Sequence, residues 1–491
     1  MFLKIIIAIL TAISVSIGSF HTVWRLQNSN YTLRDFFALS YKYYILCLIL
    51  GGTAFAVWIL GLEVKLLELS LAIVFLALSM TISHKPPLKL TPRAKRQFAV
   101  SFAVIFAAAY FLPAWMCITF AHLLTAVAFI LILPFENINN KRYLDKCAKI
   151  FERNNNAKIA ITGSYAKTSV KNILTTMLKE KYVVAAPSES VNTPLGISKF
   201  VNNGGIEGAE ICVFEFGARK KGDIDELCRL VKPNGGIITG LAPQHLQTFK
   251  TFENIIETKT ELLRYLTEKD FCVINAKDSV LIEQTAKCEI LPAGGESNVR
   301  AEKLSVSEKG SEFDLVLADT VITGCMTKLL GKHNVNNICL AAACAYKLGI
   351  EPEKIKKAIS NLRTTPHRLE ILPSKAGIII DDSYNGNLVG INAAAEVLAL
   401  FSQKKYVITQ GIVEGGKRAK ELNIEVGKIL GKVADKAVVI GKNARHIFNG
   451  LILSGMDRDS ILFAPNVSDA VNLLKDGLSD SVLLFQNDLP I

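Results

Sequence analysis

Hydrophobic positions divide the chain into two parts. Up to about residue 140, apolar residues form long runs with few charges, whereas the remainder alternates short apolar runs with polar stretches. A helix needs roughly 20 mostly apolar residues to cross a bilayer. Five runs approach that length, near residues 3–20, 43–62, 66–83, 98–114 and 117–135. The pattern therefore predicts an N-terminal transmembrane region of about five helices over residues 1–137.

Basic residues beside these runs predict their orientation. Segments 84–95 (HKPPLKLTPRAK) and 140–153 are basic, and the positive-inside rule places such segments in the cytoplasm. We therefore expect a multi-pass protein of the bacterial cytoplasmic membrane with a cytoplasmic C-terminal body. The first run, with Lys4 ahead of its apolar core, also fits a signal peptide. The helices serve either as an anchor alone or also hold a lipid-linked substrate or partner.

The remainder of the chain has the pattern of alternating strands and helices. Residues 158–162 (KIAIT) form a short β-type run, and residues 169–181 have a helical pattern. Such alternation is typical of α/β domains. The sequence predicts a mostly parallel, P-loop-type domain over residues 150–362. A smaller Rossmann-like domain should follow over residues 366–491.

Charge and cysteine content narrow the classes of partner. The 491 residues include 56 Lys and Arg against 44 Asp and Glu, a formal net charge of +12. Many of the basic residues flank the apolar runs, where the positive-inside rule accounts for them, so no nucleic acid is expected as a partner. An anionic nucleotide or an acidic substrate remains a candidate partner. The ten cysteines form no C-x-x-C pair, which is typical of reduced thiols rather than a zinc site or disulfide framework.

A candidate phosphate loop joins the predicted strand and helix. Backbone N–H groups at the start of such a helix can bind phosphates, Lys167 can reach the β- and γ-phosphates, and the Thr168 hydroxyl can bind Mg²⁺. The alternative is an ordinary strand–helix turn. The candidate ATP-binding residues of this loop are Gly163, Ser164, Ala166, Lys167, Thr168 and Ser169.

Several further motifs resemble, in order, those of the Mur ligase family. They are 161–171 (ITGSYAKTSVK), 190–197 (SVNTPLGI), 211–218 (ICVFEFGA), 242–249 (APQHLQTF), 257–262 (ETKTEL), 331–343 (GKHNVNNICLAAA), 365–370 (TPHRLE) and 380–387 (IDDSYNGN). The last motif, at residues 380–387, resembles the one carried by the branch of the family that adds D-alanyl-D-alanine to a muramyl tripeptide. The resemblance implies an ATP-dependent amide-bond ligase of peptidoglycan precursor synthesis. In that family ATP phosphorylates a carboxylate, and an amine attacks the acyl phosphate.

The resemblance also implies metal and catalytic residues. Thr168 and Glu215 would hold one Mg²⁺, and His245 with Lys259 would serve a second. Lys259 could do so only as a carbamate, because an ammonium group repels a cation. Lys167, Lys259 and His245 are the implied catalytic residues. Glu215 and His245 follow predicted strands, where α/β sheets place ligands, whereas a surface lysine is the alternative for Lys259.

The remaining implied residues contact the nucleotide or the substrate. Asn334 and Asn337 would hydrogen-bond adenine, although helix capping is an alternative. Arg368 would meet the nucleotide from the last domain, and Asp382 would lie beside the ribose; a salt bridge and a turn are their alternatives. The implied substrate-binding residues are Asn192, Tyr384, Asn385 and Asn387.

Three departures from the family pattern leave other functions open. Ala166 stands where the family loop has Gly, and a positive φ there would cost energy. Leu388 replaces a usual Pro. The family's domain for the UDP-sugar has no counterpart, so the acceptor is a small-molecule or lipid-linked cell-wall precursor. The alternatives are a poly-γ-glutamate-type membrane ligase and a catalytically silent nucleotide-binding scaffold.

Overall fold

A computed structural model describes residues 2–18, 20–28, 41–59, 74, 90–188, 191–244, 246–372, 374, 377–384 and 386–486. Contacts within the chain divide it into two compact units, Met1–Arg142 and Tyr143–Ile491. The predicted span over residues 66–83 lies almost entirely outside the described residues. So do His245 and Asn385.

The first unit consists of helices that pack on one another. A buried apolar cluster joins Ala12, Val15, Leu50, Ile105 and Ile118 from four of them. Charged groups pair inside the same unit, since both Arg96 Nε and Nη2 donate to the buried carboxylate of Glu136, at 2.6 and 3.0 Å. The described helices of this unit are Phe2–Gly18, Phe20–Asn28, Tyr41–Ile59, Pro92–Phe111, Ala114–Thr119 and Ala121–Arg153.

The predicted multi-pass membrane localisation is wrong. Within the described ranges, one helix, Ala121–Arg153, is long and apolar enough to cross a membrane. Phe2–Gly18 has 17 residues, and the run predicted over 117–135 is split, because Ala114–Thr119 ends before Ala121–Arg153 begins. Composition misled the prediction because an apolar run does not by itself give the ends of a helix.

A nine-stranded sheet forms the first part of the second unit. Numbered along the chain, its strands lie in the order β2-β3-β1-β4-β5-β6-β7-β8-β9. The neighbouring strands from β2 to β6 in this order pair in parallel, and β6 pairs in parallel with β7 through a single residue pair. The pairs β7–β8 and β8–β9 are antiparallel. The mostly parallel sheet predicted from sequence is therefore confirmed. The strands are β1 Ala157–Thr162, β2 Val184–Ala185, β3 Ile211–Glu215, β4 Gly235–Ile238, β5 Phe271–Asn275, β6 Glu289–Ala293, β7 Val299–Ser307, β8 Gly310–Leu317 and β9 Thr320–Thr327.

Helices cover this sheet because its central strands are apolar on both faces. All five residues of β3 and all four of β4 are buried, as is typical of parallel strands between helical layers. One core includes Val170 and Leu174 of the helix that follows β1, and the other includes Phe214 and Leu227. The helices are Lys167–Leu178, Pro194–Asn202, Asp223–Val231, Leu246–Phe249, Phe252–Lys259, Glu261–Tyr265, Ser279–Ile282, Lys332–Lys347 and Pro352–Ser360.

A six-stranded sheet forms the second part of this unit. Its order is β10-β11-β15-β12-β13-β14, with only the β10–β11 pair antiparallel. The apolar runs at residues 377–381, 405–409, 436–440 and 481–484 predict four of these strands, whereas β10 and β14 were not predicted. The strands are β10 Glu370–Leu372, β11 Ile378–Asp382, β12 Lys404–Thr409, β13 Lys436–Ile440, β14 Ile461–Ala464 and β15 Ser481–Gln486; the helices are Leu388–Ala399, Ala419–Gly431, Ala444–Leu453 and Val467–Leu474.

The two sheets meet around a short connection that follows Ser360. Asn172, on the helix after β1, donates to the Thr365 hydroxyl at 3.0 Å. Lys332 pairs with Glu396 at 2.9 Å across the same junction. These contacts join helices of the first sheet to the connection and to the helix Leu388–Ala399, and residues from both sides of the junction line two cavities.

Candidate active site

The turn after β1 requires glycine at its first position. Gly163 has φ of 144°, and a Cβ there would lie 2.1 Å from Thr239 Oγ1. Ser164 N–H donates to the Gly240 carbonyl at 2.8 Å, which holds the loop against the end of β4. The chain then enters the helix Lys167–Leu178. The amino end of this helix therefore lines a cavity of about 420 Å³, where its backbone N–H groups can bind phosphate.

Ala166 has a left-handed backbone conformation. Its φ is 59° and its ψ is 0°, immediately before the helix. A Cβ makes this conformation costly by roughly 1–2 kcal/mol, which glycine avoids. The energetic cost that the sequence reasoning attached to a positive φ therefore applies to Ala166.

We expect the substitution Ala166→Gly to stabilise the protein. Relief of the left-handed strain exceeds the extra entropy of glycine in the unfolded chain, for a net gain of about 0.5–1 kcal/mol. Urea unfolding of the full chain measures the change. Ala148→Gly, inside the helix Ala121–Arg153, is a control of opposite sign, since glycine in a helix costs about 1 kcal/mol. If Ala166→Gly destabilised the protein, this would contradict backbone strain at Ala166.

Glu215 connects two of the other predicted site residues. Its carboxylate, buried at the end of β3, accepts the Thr168 hydroxyl at 2.7 Å and the Asn192 amide at 3.1 Å. These three side chains come from separate segments, and the parallel pairing of β1 with β3 brings them together. The cluster presents one carboxylate and one hydroxyl beside the phosphate loop.

The Thr168–Glu215 pair fits a magnesium ion. Among the described residues, no group of three or more His, Cys, Asp or Glu side chains could enclose a metal. Mg²⁺ does not require such an enclosure, because it commonly keeps several waters and takes one or two protein oxygens plus substrate phosphates. The oxygen atoms beside the phosphate loop match that preference.

Two lysines lie deep in the same cavity. Lys167 Nζ donates to the Gly163 carbonyl at 2.8 Å. Burial lowers the pKa of Lys167, and Glu215 partly offsets this. Lys259 is 3% exposed; its burial, together with the charge of Lys167, lowers its pKa well below the ordinary lysine value, against the opposing effects of Asp223, Glu215 and Glu261. A lowered pKa increases the neutral amine form of Lys259, which is the form that reacts with CO₂.

Glu261 fixes the structure around Lys259. Its carboxylate accepts the N–H groups of Gly222 at 2.7 Å and Asp225 at 2.9 Å, at the amino end of the helix Asp223–Val231. An acidic group at that position satisfies otherwise unpaired donors and interacts favourably with the helix dipole. Glu261 is therefore a structural partner of the loop that follows Glu215.

The second cavity, of about 570 Å³, continues from the phosphate loop towards the six-stranded sheet. Asn334 and Asn337 line it, together with Ser169. Asn334 Nδ2 donates to the Leu330 carbonyl at 2.9 Å, and Asn337 Nδ2 donates to Asn334 Oδ1 at 3.3 Å. Neither asparagine caps the helix Lys332–Lys347, because its N-cap is Gly331 without a side-chain hydrogen bond, so the capping alternative is wrong. Their contact with a base stays a prediction.

Arg368 and Asp382 reach the cavities from the six-stranded sheet. The Arg368 guanidinium lies over the Tyr384 ring, with Cζ 4.1 Å from the ring centroid, a distance typical of a cation–π contact. His367 and Leu369, on either side of Arg368, both have positive φ, at 60° and 51°. Such strain between two domains is typical of a functional position.

Asp382 ends β11 and lines the second cavity. Its carboxylate accepts the Gln486 amide at 2.8 Å. Burial raises its pKa to about 7, even though this hydrogen bond and the charge of Arg368 lower it. Asp382 therefore changes charge close to neutral pH.

Asn387 acts first as a helix cap. Its Oδ1 accepts the Gly390 N–H at 2.9 Å at the start of Leu388–Ala399, while the residue lines both cavities. Its predicted contact with substrate stays a prediction. The structure also brings in three residues that the sequence reasoning missed, namely Tyr165, Arg219 and Asn275. Asn275 follows the general signal of a polar residue at the carboxyl end of a parallel strand, which could have identified it.

Proteins of known structure share this fold. MurF from Acinetobacter baumannii matches with a TM-score of 0.65 at 23% identity, over 71% of this chain and 77% of that one. MurF ligase from Thermotoga maritima, solved in complex with ADP, matches with a TM-score of 0.63 at 24% identity, over 71% and 80%. At these identities the likeness shows a common fold.

Curated relatives are similar over the same region. The UDP-N-acetylmuramoyl-tripeptide–D-alanyl-D-alanine ligase of Bacillus subtilis is 28% identical over 332 residues, 66% of this chain and 71% of that protein. The Escherichia coli ligase of the same name is 26% identical over 297 residues, 59% and 65%. The similarity therefore extends over both α/β sheets.

The fold and the site together define an ATP-dependent ligase that forms amide bonds. The Mur ligase middle domain matches residues 161–345, and the Mur ligase glutamate ligase domain matches residues 367–486. These two matches cover more than half of the chain. The chain belongs to the Mur ligase family.

Proposed function

We propose that this protein joins D-alanyl-D-alanine to the terminal carboxylate of a UDP-linked muramyl tripeptide. The named relatives in Bacillus subtilis and Escherichia coli support this substrate pair. The observation that carries the proposal is the Thr168–Glu215–Asn192 cluster beside Lys167, in one cavity. The cluster supports the proposal because a cation held by it would lie beside the phosphate loop, in a cavity that an acceptor carboxylate could enter.

The reaction requires two transfers at this cavity. The γ-phosphoryl group of ATP passes to the acceptor carboxylate, which gives an acyl phosphate and ADP. The amine nitrogen then attacks the acyl carbon, phosphate leaves, and the nitrogen loses one proton. Positioning and charge stabilisation supply most of the catalysis in such reactions, which suits a site built from lysines and backbone N–H groups.

In this proposal the residues have separate tasks. Lys167 leaves the Gly163 carbonyl to meet the β- and γ-phosphates. Thr168 and Glu215 would hold Mg²⁺, and this ion would supply charge neutralisation for the phosphates. Arg368, held over Tyr384, approaches the nucleotide from the other sheet. Its two strained neighbours support movement of this segment when the sheets close on ATP.

Lys259 is proposed to act as a carbamate at a second magnesium site. Its burial and lowered pKa support addition of CO₂ to the neutral amine, with loss of one proton. The product is an anion with two oxygens, the ligand type that Mg²⁺ prefers. His245, the other residue proposed for this site, lies outside the described residues.

Phosphate release by the purified full chain tests the function. The reaction contains ATP, Mg²⁺, bicarbonate, UDP-N-acetylmuramoyl-tripeptide and D-alanyl-D-alanine, and Lys167→Ala is the comparison variant. Release that requires both substrates and Lys167 supports the proposal. Turnover with glutamate instead of the dipeptide would favour a poly-γ-glutamate-type ligase. ATP binding without turnover on either amine would favour a silent scaffold.

The pKa of Asp382 predicts that the KM for ATP depends on pH. Its ionised carboxylate can accept both ribose hydroxyls, and its pKa of about 7 makes this form decline in mildly acidic solution. We expect the KM for ATP to rise about three- to tenfold between pH 8 and pH 6. Steady-state kinetics should show a higher, nearly pH-independent KM for Asp382→Asn. An unaltered pH profile in this variant would exclude Asp382 as the source.

The same group predicts a change in stability. The carboxyl ionises near 3.8 when unfolded and near 7 when folded, so its contribution is greatest below about pH 4 and is lost as pH rises through 7. Asparagine does not ionise, so Asp382→Asn should not lose folding stability as the pH rises. Urea unfolding at pH 8 should therefore find the variant at least as stable as the wild type.

A further inference from the structure

Arg219 is a cation of the 420 Å³ cavity that the proposed catalytic steps do not use. It lies in the loop between β3 and the helix Asp223–Val231, four residues after Glu215. Its side chain is exposed at the cavity wall. The loop thus begins at the proposed magnesium ligand and carries a guanidinium to the open side of the same space.

The backbone beneath Arg219 is held firmly. Asp223 Oδ2 accepts the N–H groups of Arg219 at 2.8 Å and Lys220 at 3.0 Å. Glu261 in turn holds Gly222 and Asp225 at the start of the next helix. The arginine therefore extends from a fixed base, which reduces the ordering that binding a ligand would require.

The other cations of the cavity already have defined surroundings. Lys167 donates to the Gly163 carbonyl, Lys259 is buried, and Arg368 lies over Tyr384. Arg219, by contrast, has no ion pair or side-chain hydrogen bond among the residues that the structure describes. Its guanidinium is available to an incoming anion.

The carboxylates that line the cavity form no ion pair with Arg219 in the part of the chain that the structure describes. Glu215 accepts from Thr168 and Asn192, and Asp223 Oδ2 accepts from two backbone N–H groups. Glu226 lines the same cavity and is exposed. None of these three side chains binds the guanidinium of Arg219.

The location of Arg219 indicates which substrate it faces. It lines the cavity that contains Lys167, Glu215 and Lys259, where the proposed function has the acyl group react. It is absent from the lining of the second cavity, which contains Asn337 and Asp382. Arg219 is thus on the acceptor side of the phosphate loop rather than on the nucleotide side.

We propose that Arg219 binds a free carboxylate of the acceptor peptide, distinct from the carboxylate that is activated. The inference rests on the proposed function and adds a specificity-determining residue to it. A guanidinium matches a carboxylate with two parallel N–H···O hydrogen bonds, which lysine cannot reproduce. The enzyme would therefore distinguish acceptors with this carboxylate free from those in which it is an amide.

Steady-state kinetics with two acceptors tests this. One is the muramyl tripeptide with its non-reacting carboxylates free, and the other carries them as amides. For Arg219→Ala we expect the KM for the free acceptor to rise about tenfold, with the KM for ATP and D-alanyl-D-alanine within twofold of wild type. Arg219→Lys should fall between. On the amidated acceptor, wild type and Arg219→Ala should give the same KM.

Lys220→Ala is the matched control, because Lys220 is the exposed neighbour in the same pinned loop but does not line the cavity. It should leave every KM within twofold of wild type. An equal effect of Arg219→Ala on both acceptors, or an equal effect of Lys220→Ala, would overturn the inference. If the inference about Arg219 fails but the wild type turns over either acceptor, the proposed ligase function still stands. Turnover of neither would refute the function itself.

Discussion

Replacement of Lys259 by methionine is expected to lower turnover by about 10²–10³-fold, the usual effect of losing a group that stabilises charge in the transition state. Methionine preserves much of the buried volume but cannot form a carbamate. Lys259 is buried beside Lys167, and its lowered pKa provides the neutral amine that CO₂ requires. The measurement is the rate of phosphate release at saturating substrates, with and without bicarbonate.

Wild-type activity should fall when dissolved CO₂ is removed and return with bicarbonate, whereas Lys259→Met should not respond. A lysine whose pKa is lowered by folding destabilises the fold at every pH below about 10. Removal of Lys259 should therefore leave the stability equal or higher, and urea unfolding of Lys259→Met checks this. Lys269→Ala, at an exposed lysine of the same domain, is the control. Full activity of Lys259→Met would exclude a carbamate mechanism.

Glu215→Gln is expected to reduce kcat/KM for MgATP by about 10²–10³-fold. The substitution keeps the side-chain length but removes the negative charge beside the Thr168 hydroxyl. It also turns an amide group towards Thr168 or Asn192, both of which now contact a carboxylate oxygen. The Mg²⁺ concentration that gives half-maximal activity should rise, which a titration of the metal at fixed ATP measures.

Glu226→Gln supplies the matched control for this titration. Glu226 lines the same cavity but is exposed and lies on the helix Asp223–Val231 rather than at a strand end. Its substitution should leave the Mg²⁺ requirement unchanged. If Glu215→Gln and Glu226→Gln have equal effects, general electrostatics rather than metal binding explains the role of Glu215.

The sequence allowed much of the α/β body to be predicted because its signals are local. A buried run followed by a glycine-containing turn and a helical pattern determines the phosphate loop, and the structure has Gly163 and Lys167 where that pattern puts them. The same alternation predicted β11, β12, β13 and β15. The short edge strands β10 and β14 were missed, since three or four residues carry little periodic signal.

The N-terminal region illustrates the opposite case. Its apolar runs gave five predicted spans, yet the described helices bury residues such as Ala12, Leu50 and Ile105 against each other. Other apolar side chains of these helices, such as Ile9 and Ile130, are exposed. Hydrophobic composition does not determine where a helix ends, so the run over residues 117–135 was predicted as one helix, although Ala114–Thr119 ends before Ala121–Arg153 begins.

The sequence by itself determined which residue types stand at the strand ends, because strand, turn and helix are encoded within a few neighbouring residues. Tertiary structure alone decided which of them meet: Glu215 with Thr168 and Asn192, and Arg368 with Tyr384. It also decided the lowered pKa of Lys259 and the raised pKa of Asp382. Those shifts arise from burial and from charges brought close by the parallel sheet and the domain junction, and neither is present in the linear order of residues.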